Sequence, residues 1–201
     1  MDRTTAPVQA RSQKTKEKIL SAALSMYEEK GYHNTTVDEI AARAGVSTGI
    51  AYRYFRNKKD LLLSAVSYGA DRISADTRTD ELHIPSEPCG VPAYLEEVLA
   101  IFEKYHIRYR RIHEELEGLQ HTDDDVRRLY AEITRSKLET LTEYMRKMFG
   151  DDVHLREKVY AAIGIMEQHC HMYMKNDLYS LDMDIMRKMT IKAVMQVLTD
   201  G

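Results

Sequence analysis

The sequence predicts an all-α protein of about nine helices, and three observations carry that prediction. Leu, Ala, Glu, Lys, Arg and Met dominate, whereas only four prolines and nine glycines interrupt 201 residues. Apolar residues recur at spacings of three and four instead of alternating, which is the period of a helix with one buried face. A hydrophobic content of 43% is enough to fill a core for a chain of this length. No apolar run approaches the roughly 20 residues that span a bilayer, and no apolar segment follows the basic N-terminal residues as a secretory leader would require. The expectation is a cytoplasmic chain with no membrane partner. Cys89 and Cys170 are far apart and read as two reduced thiols.

Charge divides the chain. Residues 1–60 hold eleven Lys/Arg against seven Asp/Glu, a net +4, and the rest holds eighteen against twenty-five, a net −7. The first segment therefore suits a polyanion and the second another task. Residues 1–14 are polar, carry Pro7 and show no apolar period, so they read as a mobile arm bearing Arg3, Arg11 and Lys14. Thr15 then caps a first helix, whose apolar stripe of Ile19, Ala22, Ala23, Met26 and Tyr27 runs to Gly31.

The next 25 residues carry the strongest pattern. Thr36 followed three places later by Glu39 is a capping box, and it starts a short helix through Ile40, Ala41 and Ala44. Gly45 ends that helix by adopting a left-handed turn, and Ser47 caps a second one running through Tyr52, Arg53 and Tyr54. Two short helices hinged at a glycine are a helix-turn-helix. Small residues at the start of the second helix let backbone and hydroxyls approach a DNA groove, where Arg53 and two tyrosine hydroxyls can reach bases or phosphates. Asn57 caps a fourth helix with Asp60 at its third position. Lys58 stands in its first turn, where the helix dipole disfavours a cation and a phosphate nearby would favour it.

The run Gly31-Tyr32, Thr35-Thr36-Val37, Ile40-Ala41, Ala44-Gly45-Val46-Ser47, Tyr52-Arg53-Tyr54-Phe55 and Lys58-Lys59-Asp60-Leu61 resembles the N-terminal domain of TetR-family transcriptional regulators. The resemblance implies a three-helix DNA-binding domain over 1–56 and a C-terminal ligand-binding and dimerisation bundle over 57–201. It implies that Thr36, Ser47, Thr48, Gly49, Tyr52, Tyr54 and Lys58 touch a double-stranded, near-palindromic operator, with Arg53 a candidate for sequence choice. Ile50-Ala51 departs from the Thr-Leu or Thr-Ile pair common in the family. The resemblance further implies a homodimer through the last two helices, repression, and a small-molecule effector held among the middle helices.

The body follows that plan. Residues 79–92, with three prolines and a glycine, read as a loop, and 93–118, 124–149, 154–175 and 182–199 read as helices. In the last of these, Ile185, Met186, Met189, Val194, Val197 and Leu198 cover more of the circumference than one core contact needs, which suggests a partner. Tyr94, Phe102, Tyr105, Tyr109, Tyr130, Tyr144, Met145 and Met148 are aromatic and methionine side chains that can pack a core or line an adaptable apolar cavity. The pocket expected is Phe102, Tyr105, Tyr109, Met145, Met166 and Tyr173. Glu103, Glu114, Glu115 and Glu117 beside those rings suit a lipophilic cation. A metal-responsive alternative uses His169 and Cys170 with His106 and His113, although neighbours on a helix point about 100° apart and do not readily share one ion. His113 through Glu117 imitates a zinc-protease motif but ends in Glu. With no nucleophile elbow, phosphate loop or dinucleotide fingerprint, neither an enzyme nor a cofactor is expected.

Overall fold

A computed structural model describes residues 5–76, 85 and 87–199. Among them are ten α-helices: α1 Thr5–Lys30, α2 Val37–Ala44, α3 Thr48–Tyr54, α4 Lys58–Asp76, α5 Val91–Arg108, α6 Arg110–Leu119, α7 Asp124–Phe149, α8 Leu155–Met174, α9 Asn176–Tyr179 and α10 Met183–Thr199. A 3₁₀ turn at Pro88–Gly90 precedes α5. No strand occurs among the described residues.

The N-terminal arm is a correction. Helix α1 begins at Thr5, so Arg11 and Lys14 lie on a helix, and Arg3 lies outside the described residues. Thr15 is inside that helix and bonds back to the Arg11 carbonyl at 2.9 Å instead of capping. The expected 93–118 helix is two helices, α5 and α6, broken at Tyr109. The stretch at 124–149 is α7 as expected. Residues 79–84 and 86 of the expected 79–92 loop lie outside the described residues, and the loop ends earlier than expected, because Val91 and Pro92 already belong to α5.

The chain forms two compact units, Met1–Asp71 with Arg111–Leu129, and Arg72–Arg110 with Tyr130–Gly201. In the first, α1 packs on α2 and α2 on α3, burying Ile19, Ala23, Tyr27, Ile40, Ala51 and Phe55. Helix α6 is tied to α1 by charge: the Glu28 carboxylate accepts from the Arg111 N–H at 3.0 Å and the Ile112 N–H at 3.3 Å. These are amides of its first turn, which have no partner within the helix, and a carboxylate there also complements the helix dipole. The Arg111 guanidinium donates to the Glu29 carbonyl at 2.7 Å, and Glu115 accepts from the Tyr32 N–H. Lys59 bridges Asp123 and Asp125 at 2.7 and 2.6 Å.

In the second unit, α5, α8 and α10 pack together with α7 around Val91, Leu95, Leu99, Leu138, Val159, Met166 and Val194. Polar groups cross that core only where they are satisfied. Glu103 is buried and takes a 2.8 Å hydrogen bond from His169 Nε2 and another from Arg187. His169 Nδ1 meets the Thr190 hydroxyl at 2.9 Å. Replacing one member would strand the others, at about 1–3 kcal/mol for each buried group left without a partner.

Two glycines give contrasting tests. Gly31 sits at φ +84°, and a Cβ there would collide with the Glu115 carboxylate. Gly118 lies inside α6 with nothing within 4 Å of a Cβ. Urea unfolding should show Gly31→Ala losing about 1 kcal/mol or more, and Gly118→Ala gaining about 0.5–1 kcal/mol.

Acid should loosen the first unit. Hydrogen bonds from Arg43 and Ser25 hold the Glu29 carboxyl near 2, and those from Lys30 and Thr36 hold Glu39 near 2, both below the ordinary 4.5. A carboxyl depressed by folding stabilises the fold fully above pH 4.5 and loses that contribution as pH falls towards 2. Glu39→Gln should therefore flatten the stability profile between those limits. Circular dichroism against pH checks this, and an unchanged slope would contradict it.

Candidate nucleic-acid interface

The interface is built from local chemistry. Thr36 Oγ1 accepts from the Glu39 amide at 3.3 Å while Glu39 Oε2 accepts from the Thr36 amide at 3.0 Å, which is the reciprocal box expected from the sequence. At Gly45 the backbone turns left-handed, at φ +70° and ψ +34°, and the Val46 N–H closes onto the Ala41 carbonyl at 3.0 Å. A Cβ at Gly45 would meet nothing, so its requirement is conformational. Ser47 then accepts from the Ile50 amide at 3.3 Å and begins α3.

Helix α3 buries Ala51 and is followed by buried Phe55, and it turns Gly49, Tyr52 and Arg53 outward; Tyr52 is 51% exposed. Thr36 and Ser47 are exposed as well, and Thr48, Tyr54 and Lys58 are half-buried. Besides the capping hydroxyls of Thr36 and Ser47, three of these side chains hold partners. The Thr48 hydroxyl donates to Asp38, which joins α3 to α2. The Tyr54 hydroxyl lies 3.0 Å from Ser12 Oγ on α1. Lys58 donates to the His33 carbonyl at 3.1 Å and stands 4.5 Å above the Tyr32 ring. Burial draws its ammonium below the ordinary lysine range against the opposing pull of Glu115 and Glu39. A carbonyl and an aromatic face thus hold the ammonium at its helix start. Ser12, Tyr32 and His33 carried no local signal, because each matters through a partner more than 20 residues away. Asn57 Oδ1 accepts from the Asp60 amide at 2.9 Å, the expected cap of α4.

The second unit contains an apolar cavity of about 40 Å³. Of the pocket residues expected from the sequence, Phe102, Met145 and Met166 line it. Tyr105, Tyr109 and Tyr173 are absent from its wall: the first two stack on one another at 6.2 Å, and the ring of Tyr173 lies 6.3 Å from His169. Lys137 and Glu167 supply its charged groups, joined at 2.8 Å. Burial acting alone would raise the Glu167 carboxyl, but the His106 hydrogen bond and the Lys137 charge overcome it and hold the group well below the ordinary range.

Two of the four acidic residues read beside the aromatics, Glu103 and Glu115, are engaged elsewhere. Glu103 is neutralised by Arg187 and His169, and Glu115 serves the Tyr32 amide in the first unit. His169 and Cys170 are both engaged elsewhere. Both ring nitrogens of His169 are occupied by Glu103 and Thr190. Cys170 is buried on the cavity wall, and that burial pushes its thiol far up. His106 instead meets Glu167, with Nε2 at 3.1 Å from Oε2. His113 lies on α6, in the first unit. No helix among the described residues is long and apolar enough to cross a membrane.

Residues 19–65 match the bacterial regulatory proteins, tetR family. A stretch of 46 residues is 48% identical to the fatty acid metabolism regulator protein of Bacillus subtilis (strain 168), which is 23% of this chain and 24% of the relative. The chain thus aligns with about a quarter of that relative's length. Over nearly its full length it shares a fold with a Rhodococcus sp. chain assigned to the TetR-family transcriptional regulators, at TM-score 0.74 and 17% identity, covering 93% of this chain and 100% of the other. The fatty acid degradation regulator FadR of Bacillus halodurans gives TM-score 0.64 at 21% identity, covering 91% and 93%. The family match covers residues 19–65, and the structural likeness is one of fold. The capped, glycine-hinged helix pair at residues 36–54 lies within the matched segment, and residues 19–65 belong to the N-terminal segment of the bacterial tetR-family regulatory proteins.

Proposed function

We propose that the chain works as a homodimeric repressor that reads a near-palindromic operator with α3 of each protomer and lets go when a small apolar effector enters the second unit. One observation carries the DNA reading. Tyr52 and Arg53 project from a helix fixed on its other side, and neither has a hydrogen-bond or ion-pair partner among the described residues. An exposed guanidinium on a groove-sized helix can pair with a guanine edge in two-pronged fashion, and each such pair is worth about 1–3 kcal/mol of discrimination. Thr36, Ser47, Thr48, Gly49, Tyr54 and Lys58 surround that face as phosphate and groove contacts, and they fix register while Arg53 chooses sequence.

The dimer reading is supported by what α8 and α10 leave uncovered. Tyr160, Ile185 and Met189 are 59%, 55% and 60% exposed on these two helices. A two-fold pairing of the same faces would bury them and would set two readers about 34–36 Å apart, one helical turn of DNA.

The effector reading rests on the cavity wall. Leu95, Val98, Leu141, Met145, Val159 and Met166 present hydrocarbon and thioether, which suit an aliphatic chain better than a polar solute. Two of the similar proteins bear names from fatty acid metabolism and degradation, which agrees with an acyl effector. At about 40 Å³ the space is smaller than the roughly 150 Å³ that holds a benzene ring. The effector must therefore favour a wider arrangement of these helices, with the two methionines yielding first. That difference in affinity between narrow and wide arrangements is what lets a ligand shift the body.

Selection of duplexes from a random pool should yield a near-palindromic site. Arg53→Ala should weaken binding to it about tenfold, or 1.4 kcal/mol, and flatten the preference at one base position per half-site. Selection without a consensus, or parental affinity in Arg53→Ala, would refute the α3 reading. Palmitate should weaken operator binding by the parent chain about tenfold or more, while Ala162→Leu, which fills the cavity wall, should bind the operator normally and ignore palmitate. Equal responses in both chains would remove the cavity from the mechanism.

A further inference from the structure

We propose that the second unit carries a divalent-metal site of the zinc class, formed by His106 on α5 with Glu167 and His171 on α8. Their donor atoms all lie within 4.8 Å of one another. The argument begins at His106, whose Nδ1 is 2.8 Å from the Phe102 carbonyl. A carbonyl oxygen only accepts, so Nδ1 holds the ring proton and Nε2 of the neutral ring presents a lone pair. That lone pair faces a carboxylate oxygen, Glu167 Oε2, at 3.1 Å. Two electron-rich atoms so placed need a cation, either a second proton on the ring or a metal ion. Backbone anchoring of the outer nitrogen is the arrangement that fixes a metal-binding imidazole.

The neighbouring groups favour the ion. Glu167 and His171 are four residues apart on α8, so they share one face of that helix. The His171 ring lies 5.9 Å from the His106 ring. Lys137 takes the other Glu167 oxygen at 2.8 Å, which turns Oε2 towards His106. Two imidazoles and a carboxylate are a donor set that suits zinc. Around a tetrahedral zinc, donors about 2.0–2.1 Å from the ion are roughly 3.3 Å apart, so the present spacing must contract by about 1.5 Å at most. His106 is buried, but Glu167 and His171 are half-exposed, and they provide both the rotameric freedom and the entry path.

This site differs from the His169 and Cys170 pairing, whose histidine is already bonded at both nitrogens. Nor does it rest on the proposed effector or operator, since it requires only the α5 and α8 side chains. Glu167 and Lys137 also line the cavity, so a bound ion would stand at its polar end.

The test uses the full chain stripped with EDTA, then given ZnCl2 and desalted. Elemental analysis should find one zinc per chain, and competition with a fluorescent chelator should give an affinity that falls at least tenfold in His171→Ala and in Glu167→Gln. The exposed-histidine variants His121→Ala and His154→Ala should match the parent. Loading with CoCl2 should give the intense visible bands of a low-coordinate site in the parent and not in His171→Asn, a conservative replacement whose melting temperature reports whether the fold is kept. Far less than one zinc per chain would mean that a proton alone joins His106 to Glu167. Equal affinity in all variants, or loss of zinc in His154→Ala, would mean surface binding. Either result overturns the site.

Discussion

The direction of α3 depends on one backbone constraint, the left-handed turn at Gly45. On one side the Thr36–Glu39 box ends the uncertainty of where α2 begins, and on the other Ser47 fixes where α3 begins. Such caps are worth about 1 kcal/mol each, which is large for helices of eight and seven residues that could not persist alone in water. Between the caps the chain has few choices left. The Val46 amide closes onto Ala41, the Thr48 hydroxyl ties α3 to Asp38, and buried Ala51 and Phe55 set the face that turns inward. The outward face, with Tyr52 and Arg53, is what remains.

This explains which parts were legible in the sequence. Caps, the turn glycine and the helical stripes are read within four or five residues of themselves, so α2, α3, α4, α7 and the buried face of α8 stood in the residue pattern. The misreadings share a different origin. Residues 5–14 show no apolar stripe, yet they are helical as a polar extension of α1, with Ser12 meeting Tyr54 across 42 positions of sequence. The break at Tyr109 has no glycine or proline to announce it. Glu103 and Glu115 looked like free negative charge because their partners, Arg187 and the Tyr32 amide, lie 84 and 83 positions away.

The candidate pocket divides along the same line. Phe102, Met145 and Met166 have wholly apolar side chains and line the cavity. A tyrosine ring carries a hydroxyl and can be satisfied at a surface or against another ring, as the Tyr105–Tyr109 stack shows. The histidines fared similarly. Adjacency drew attention to His169 and Cys170, whereas helical geometry groups residues four apart, which is why Glu167 and His171 share a face and His169 turns to Glu103.

Chain connectivity bears on how an effector could reach the operator. The boundary between the compact units is crossed at 71–72, 110–111 and 129–130. The first crossing lies inside α4 and the third inside α7, where continuous helical hydrogen bonding resists bending. The second adjoins the non-helical Tyr109, at φ −119° and ψ 31°. Within the first unit α6 is held to α1 by Glu28 and Arg111, while Lys59 of α4 is held to Asp123 and Asp125. On the proposed reading, a ligand that widens the second unit acts on the parts of α4 and α7 that belong to it, and both helices run on as continuous backbone into the first unit.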